Sequence, residues 1–247
     1  MPPAIARGEA FLQARGDGLD PMMALILDFV GRRFAVPWMQ AAANPLRTPV
    51  AATPCADGGS CGPPSSLDSF RRLIDPRATI AADRLPTGTG MDALTALALH
   101  CRSNGLPTDY PVRIAQRLDP AAAGYDPPLA ALALQWAIEQ GCLDRGSNAI
   151  NALRTQTLTQ LLAVGAGVPR DQPVLALAML DYLGEGRCIR SEWIDALVRA
   201  QRDDGGWSDE ADQPSNDHTT TLALWVLLRQ ARPAQSVAWI PQIGDQR

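Results

Sequence analysis

The sequence predicts an all-α fold built from repeated helical hairpins. Three observations predict it. First, five segments share one pattern: an Asp, a short polar or Pro-containing step, then a run of small and aliphatic residues. They begin at Asp20, Asp92, Asp126, Asp171 and Asp217, with spacings of 72, 34, 45 and 46 residues. Self-similarity at a period of about 20–50 residues is the signature of repeat architectures. Second, amphipathic and more polar segments alternate with these apolar ones. Third, almost nothing in the chain reads as strand.

Each Asp has a local reason. Its carboxylate can accept hydrogen bonds from the free N–H groups of a first helical turn. Pro follows directly at Pro21 and Pro127 and two residues on at Pro173. It is tolerated there because those N–H groups have no intrahelical partner. The helices that follow are apolar nearly all round and rich in Ala, so they are expected to be buried on most sides. They are the expected inner helices.

The expected outer helices lie at 4–13, 66–74, 111–118, 147–164 and 191–202. In the last, Trp193, Ile194, Leu197 and Val198 fall on one face, and Glu192, Asp195, Arg199 and Arg202 face water. Inner and outer helices in alternation give stacked hairpins. These either run as an open solenoid or close into a ring; closure suits a chain without obvious polar capping repeats. The interval of 72 is twice 36, which leaves room for a degenerate copy between Pro45 and Gly90. The count is therefore five to six hairpins. Residues 44–90 are crowded with Pro and Gly and read as a long loop around one short helix, placed to fold over one mouth of a ring. Long loops in compact domains are functional or disordered.

Bulk properties narrow the function. A chain of 247 residues, 46% hydrophobic and 19% charged, is long enough for one large domain with a sizeable core, here 1–247. A net charge of −4 offers no electrostatic reason to bind nucleic acid or an anionic membrane. The sequence has no long unbroken apolar run, so no transmembrane helix is expected. The first residues lack a basic segment followed by an apolar stretch, so no signal peptide is expected and the default location is cytoplasmic. Of the five cysteines, Cys101, Cys142 and Cys188 fall in or beside apolar helical segments, where buried reduced thiols are expected. Cys55 and Cys61 share a Gly-rich loop and are read as free thiols, with a small disulfide or metal ligation as the alternatives.

Two segments near the C-terminus carry the most specific signal. Gln201-Arg202-Asp203-Asp204-Gly205-Gly206-Trp207 has the form Q-x-x-D-G-G-W. Its mechanical role is structural. Gln201 can bond the end of a neighbouring helix, Gly205 permits a sharp turn, and Trp207 packs across the connection. A worn version stands at 11–18. The second segment, Pro214-Ser215-Asn216-Asp217-His218-Thr219, runs directly into an apolar helix. About two turns into the inner helices stand His100, Trp136, Tyr182 and Trp225. Pointing into a central space they would form a partly aromatic wall able to stabilise a cation; pointing between hairpins they are core.

These segments together resemble one repeat of the α/α-toroid proteins, the squalene-hopene type terpene cyclases and the protein prenyltransferase β-subunits. The resemblance spans about residues 90–232 and, faintly, the first 45. It implies an (α/α) toroid with an apolar lumen. In class II terpene cyclases the middle acid of a D-x-D-D-T segment protonates an alkene or epoxide. Asp217 falls on that acid, Ser215 stands in place of the first Asp and His218 in place of the last. The resemblance thus implies acid-initiated cyclisation or rearrangement of an isoprenoid or similarly apolar small molecule. Asp217 would be the donor, His218 its tuning partner, and His100, Trp136, Tyr182 and Trp225 the cavity wall. Asp217 as a simple helix cap is the competing reading. The prenyltransferases hold zinc through Asp, Cys and His. Here the only histidines are His100 and His218 and no D-x-C pair occurs, so no metal and no cofactor is expected.

G-x-S-x-G, the Walker A loop and the Rossmann fingerprint are absent from the sequence, and so is the D-D-x-x-D helix of class I terpene synthases. The alternative function is a non-catalytic helical-repeat module that binds a lipid-like ligand or a protein partner. A metal-dependent toroid enzyme is the third possibility. Substrate identity and oligomeric state are open at the level of sequence.

Overall fold

The computed structural model describes residues 1–47, 66–87, 91–210 and 212–241, and over these the chain is all-helical. In chain order the helices are α1 (Pro2–Arg15), α2 (Pro21–Phe34), α3 (Pro37–Ala42), α4 (Asn44–Arg47), α5 (Ser66–Phe70) and α6 (Met91–Asn104). Then come α7 (Tyr110–Arg117), α8 (Pro127–Glu139), α9 (Asn148–Gly165), α10 (Asp171–Tyr182), α11 (Ser191–Arg199) and α12 (Asp217–Ala231). Extended pairing among the described residues is limited to one isolated bridge between Trp207 and Asn216.

The five Asp-led segments are α2, α6, α8, α10 and α12, but their Asp residues do different work. Asp20 caps α2, accepting from the N–H groups of Met22 (2.7 Å) and Met23 (3.2 Å). Asp126 caps α8 through the N–H of Leu129 at 3.3 Å. Asp92 is exposed in the first turn of α6. Asp171 and Asp217 are already inside the first turn of α10 and α12, and their carboxylates turn sideways to other helices. The cap of α12 is instead Asn216, whose side chain accepts from the Thr219 N–H at 2.8 Å.

The apolar helices pack in the series α6, α8, α10, α12, α2, each against the next. The amphipathic ones flank them: α7 and α9 lie on α8, α9 also on α10, and α11 on α12. Helix α1 packs on α12, so the first hairpin meets the last one. The contact surface is small-residue rich, as the Ala positions of α8 and α10 predict, and nearly every residue of α12 from Asp217 to Leu228 is buried. One contiguous apolar core runs through all of these elements, with a minor cluster of Ile80, Leu85 and Ala96 beside it.

Segment 201–207 joins the two ends. Gln201 Nε2 donates to the carbonyls of Ala4 and Gly205, both at 2.7 Å, and the Arg7 guanidinium donates to Gln201 Oε1. Trp207 is fully buried and donates from Nε1 to the Leu197 carbonyl at 2.8 Å, while its main-chain N–H donates to the Thr220 hydroxyl at 2.9 Å. Gly8 lets this ring approach α1: a Cβ there would stand 2.8 Å from Trp207 Cζ3. Gly205 has φ of +89°, and a Cβ on it would meet the Arg7 carbonyl oxygen at 2.6 Å. Both conformation and space therefore demand glycine at 205.

Two expectations need correcting. Cys101 and Cys142 are not reduced thiols: they form a disulfide that ties α6 to the loop after α8 across a sequence separation of 41. Such bonds persist in oxidising surroundings, so the reduced reading fails for this pair, while Cys188 is free. The region 44–90 is also more than loop. Its described parts include α4, α5 and two 3-10 turns, and they place Phe70, Leu73, Ile74 and Ile80 in the interior. Cys55 and Cys61 lie outside the described residues.

Candidate functional site

The starts of α2, α10 and α12 converge, and an open cleft of about 1000 Å³ lies among them, bordered by Arg15, Asp20, Asp171, Asp209, Asp217 and His218. A second opening of about 1060 Å³ shares Asp171 and Asp209. Three inner helices thus deliver ionisable side chains to one place, because each repeat puts its Asp at the same end.

Asp217, 9% exposed, forms the floor. Arg15 Nε lies 2.9 Å from Oδ1 as an ion pair without an aligned hydrogen bond, and Oδ2 accepts from the Asp20 main-chain N–H at 3.3 Å. Its carboxylate thus links α12 to the end of α1 and the start of α2. It does not contact its neighbour His218 in these hydrogen bonds.

His218 pairs with Asp171 instead. Its Nδ1 lies 2.7 Å from Asp171 Oδ1, and the Thr219 hydroxyl donates to the same oxygen at 2.9 Å. Burial pushes the Asp171 carboxyl up, but the hydrogen bond and charge of His218, together with the Thr219 hydroxyl, outweigh it and hold Asp171 below the usual carboxylate range. A carboxylate only accepts, so His218 donates from Nδ1–H, and in the neutral ring Nε2 carries the lone pair. Among the described residues no protein group bonds that Nε2. The imidazole is 42% exposed at the cleft. Asp171 stands near enough for its charge to be felt by Asp126. Burial first of all, and Asp171 last, push the Asp126 carboxyl up, against the Leu129 N–H and Arg117.

The aromatic residues are elsewhere. Trp136, Tyr182 and Trp225 are buried between α8, α10 and α12, and they converge with Phe29 of α2 on one further ring, Trp239, from the segment after α12. The Tyr182 hydroxyl donates to Glu139 Oε1 at 2.7 Å. Burial above all pushes the Glu139 carboxyl up, against hydrogen bonds from Gln135 and Tyr182, and its Oε2 is buried without a hydrogen-bond partner. Trp225 Nε1 donates to Asp181 at 2.9 Å, and Asp181 is held by Arg33 and Arg229.

His100 does not join this group through any ring contact or hydrogen bond among those described. Its Nε2–H donates to the Ser69 carbonyl at 2.8 Å, and burial, followed by the opposing Ser69 bond and the charge of Arg72, leaves its pKa lowered. No group of three or more His, Cys, Asp or Glu side chains among the described residues is arranged to hold a metal ion. No described helix is long and apolar enough to cross a membrane.

Two participants were missed by sequence reasoning, Asp171 as the partner of His218 and Trp239 as the centre of the aromatic group. The signal for Asp171 was the repeat itself: 47 residues before His218 is one repeat back, at the matching helix start. Trp239 stands outside the repeats, and nothing periodic points to it. No family model matches the chain, and no curated protein or solved structure matches it either.

Proposed function

We propose that the chain is an enzyme of acid–base chemistry, working in the cleft at the starts of α2, α10 and α12. The observation that carries this reading is the His218–Asp171 pair: one imidazole nitrogen is fixed by a carboxylate and the other is left open to the cleft. A carboxylate that holds the tautomer and orientation of an imidazole also stabilises the imidazolium formed when the ring takes a proton. His218 is then the general base or acid, Asp171 its positioning residue through Nδ1, and Thr219 the group that fixes Asp171. Activation of water, or proton movement on a bound small molecule, is the chemistry this pair supports.

The isoprenoid-cyclase reading assigns the proton to Asp217. That residue is tied to the Arg15 guanidinium and to the Asp20 main-chain N–H, so both its oxygens are engaged in holding helices together. The cleft border sets Arg15, Asp20, Asp171, Asp217 and His218 beside Leu19, Met22 and Met23, a mixed lining that suits a substrate with polar groups better than a bare polyene. Proton handling therefore passes to His218 in this proposal, and Asp217 keeps the first and last hairpins together.

A non-catalytic binding module is the second reading, favoured by the burial of Trp136 and Trp225 in packed interior rather than along an open wall.

p-Nitrophenyl acetate is a suitable probe, because an oriented general base accelerates its hydrolysis. The expected result is a rate above buffer that disappears in His218→Gln and falls in Asp171→Asn. Equal rates for wild type and both folded variants would leave the binding module standing instead.

A further inference from the structure

We infer that the segment 233–240 is a self-inserted plug, and that Trp239 occupies a ring-binding site which accepts a flat aromatic ligand when the segment lifts out. This does not rest on the His218 reading, which concerns the first turns of α10 and α12.

Four helices build the site. Trp239 stacks on Phe29 of α2, with centroids 4.7 Å apart and planes 8° from parallel. Trp136 of α8, Tyr182 of α10 and Trp225 of α12 meet it edge-on at 5.4, 5.2 and 5.3 Å. One stacked face and three edges enclose a single flat ring, which is the geometry that favours an aromatic guest.

The occupant differs from its walls in three respects. It comes from a segment without regular secondary structure, whereas every wall residue is on a helix. Its hydrogen bonds to α2 run through its own main chain: Arg32 donates to the carbonyls of Ala238 and Trp239, both at 3.0 Å, and the Gln235 N–H donates to the Arg33 carbonyl at 2.8 Å. Residues 235, 236 and 238 are exposed and a groove of about 490 Å³ runs beside residues 235–238, so only the end of the strap, Trp239 and Ile240, is buried. Finally, the fit is incomplete in its polar groups. Trp239 Nε1 and Glu139 Oε2 are both buried without hydrogen-bond partners, a state that a fully matched interior avoids.

The test uses the full chain with Trp239→Ala and 5-fluoroindole, followed by ¹⁹F NMR. Wild type is expected to bind weakly, because its own ring fills the site. Trp239→Ala is expected to bind one equivalent about tenfold more tightly or better, and its thermal midpoint is expected to rise with added indole. If the variant loses helical circular dichroism but regains it with indole, the inference also stands. Equal affinity in both chains, a folded variant that binds nothing, or an unfolded one that indole does not restore would each overturn it, making Trp239 ordinary core.

Discussion

His218 Nδ1 lies 2.7 Å from Asp171 Oδ1, and this contact joins the first turn of α12 to the first turn of α10. Asp171 is held below its usual range, so the folded state binds its proton less readily than the unfolded chain does. Its contribution to stability is therefore present above the unfolded carboxyl value of about 3.9 and is lost as pH falls through the folded value. Asp171→Asn is expected to flatten the acid limb of a urea-denaturation series, and a mutant with the wild-type acid limb would contradict this.

Glu139 has the opposite sign. Burial raises its carboxyl, so the folded state favours the protonated form. The associated stability is complete below the unfolded value of about 4.3 and declines as pH rises through the folded one. Glu139→Gln keeps a neutral side chain there. Its stability relative to wild type is expected to improve as pH rises from the unfolded value, measured by the same denaturation series. A constant difference across that window would show that Glu139 does not titrate with folding.

The Cys101–Cys142 bond closes a loop of 41 residues between α6 and the end of α8. Bonds of this kind contribute about 2–4 kcal/mol, chiefly by restricting the unfolded chain. Cys101→Ser is expected to lower the denaturation midpoint accordingly, and to make that midpoint insensitive to reductant, while Cys188→Ser changes little. A wild-type midpoint unaffected by reductant would argue against the bond.

Trp207 is buried against Gly8, with its indole N–H on the Leu197 carbonyl. Trp207→Ala is expected to lose about 3–5 kcal/mol, in line with other buried Trp truncations. Gly205→Ala is expected to be destabilising as well, since it adds a side chain at φ of +89° facing Arg7. Both variants should release α1 first, detectable as faster amide exchange over residues 2–15 than over α8.

Asp181 is 1% exposed and receives Arg33, Arg229 and the Trp225 N–H. Asp181→Asn leaves Arg33 without its counter-charge in a mostly buried position. The expected loss is about 3–5 kcal/mol, as for a broken buried pair, and equilibrium unfolding of the variant measures it.

The helical pattern was legible because burial period and Asp-led starts repeat: 4–13, 111–118 and 191–202 overlap α1, α7 and α11, and all five apolar runs are helices. The polar contacts were less legible. Asp20 and Asp171 look alike in sequence, yet one caps its own helix and the other reaches the next repeat, because a shift of one position at the helix start redirects the carboxylate. The disulfide was hidden for a related reason. Cys101 and Cys142 meet only through the packing of α6 on α8, which no local pattern encodes. Trp239 lies beyond the last repeat, where periodicity has ended.

The clasp between α1 and the last hairpin has a kinetic consequence during synthesis. Ala4 and Gln201, which bond each other, are 197 residues apart in the chain. While the ribosome is still making the middle of the protein, the first helix has no Trp207 to rest on and no Asp217 to hold Arg15. It must wait undocked, apolar side exposed, until the final hairpin emerges. A nascent chain stalled before that point is the form most open to chaperones, and emergence of residues 201–231 is the event that lets the first helix settle.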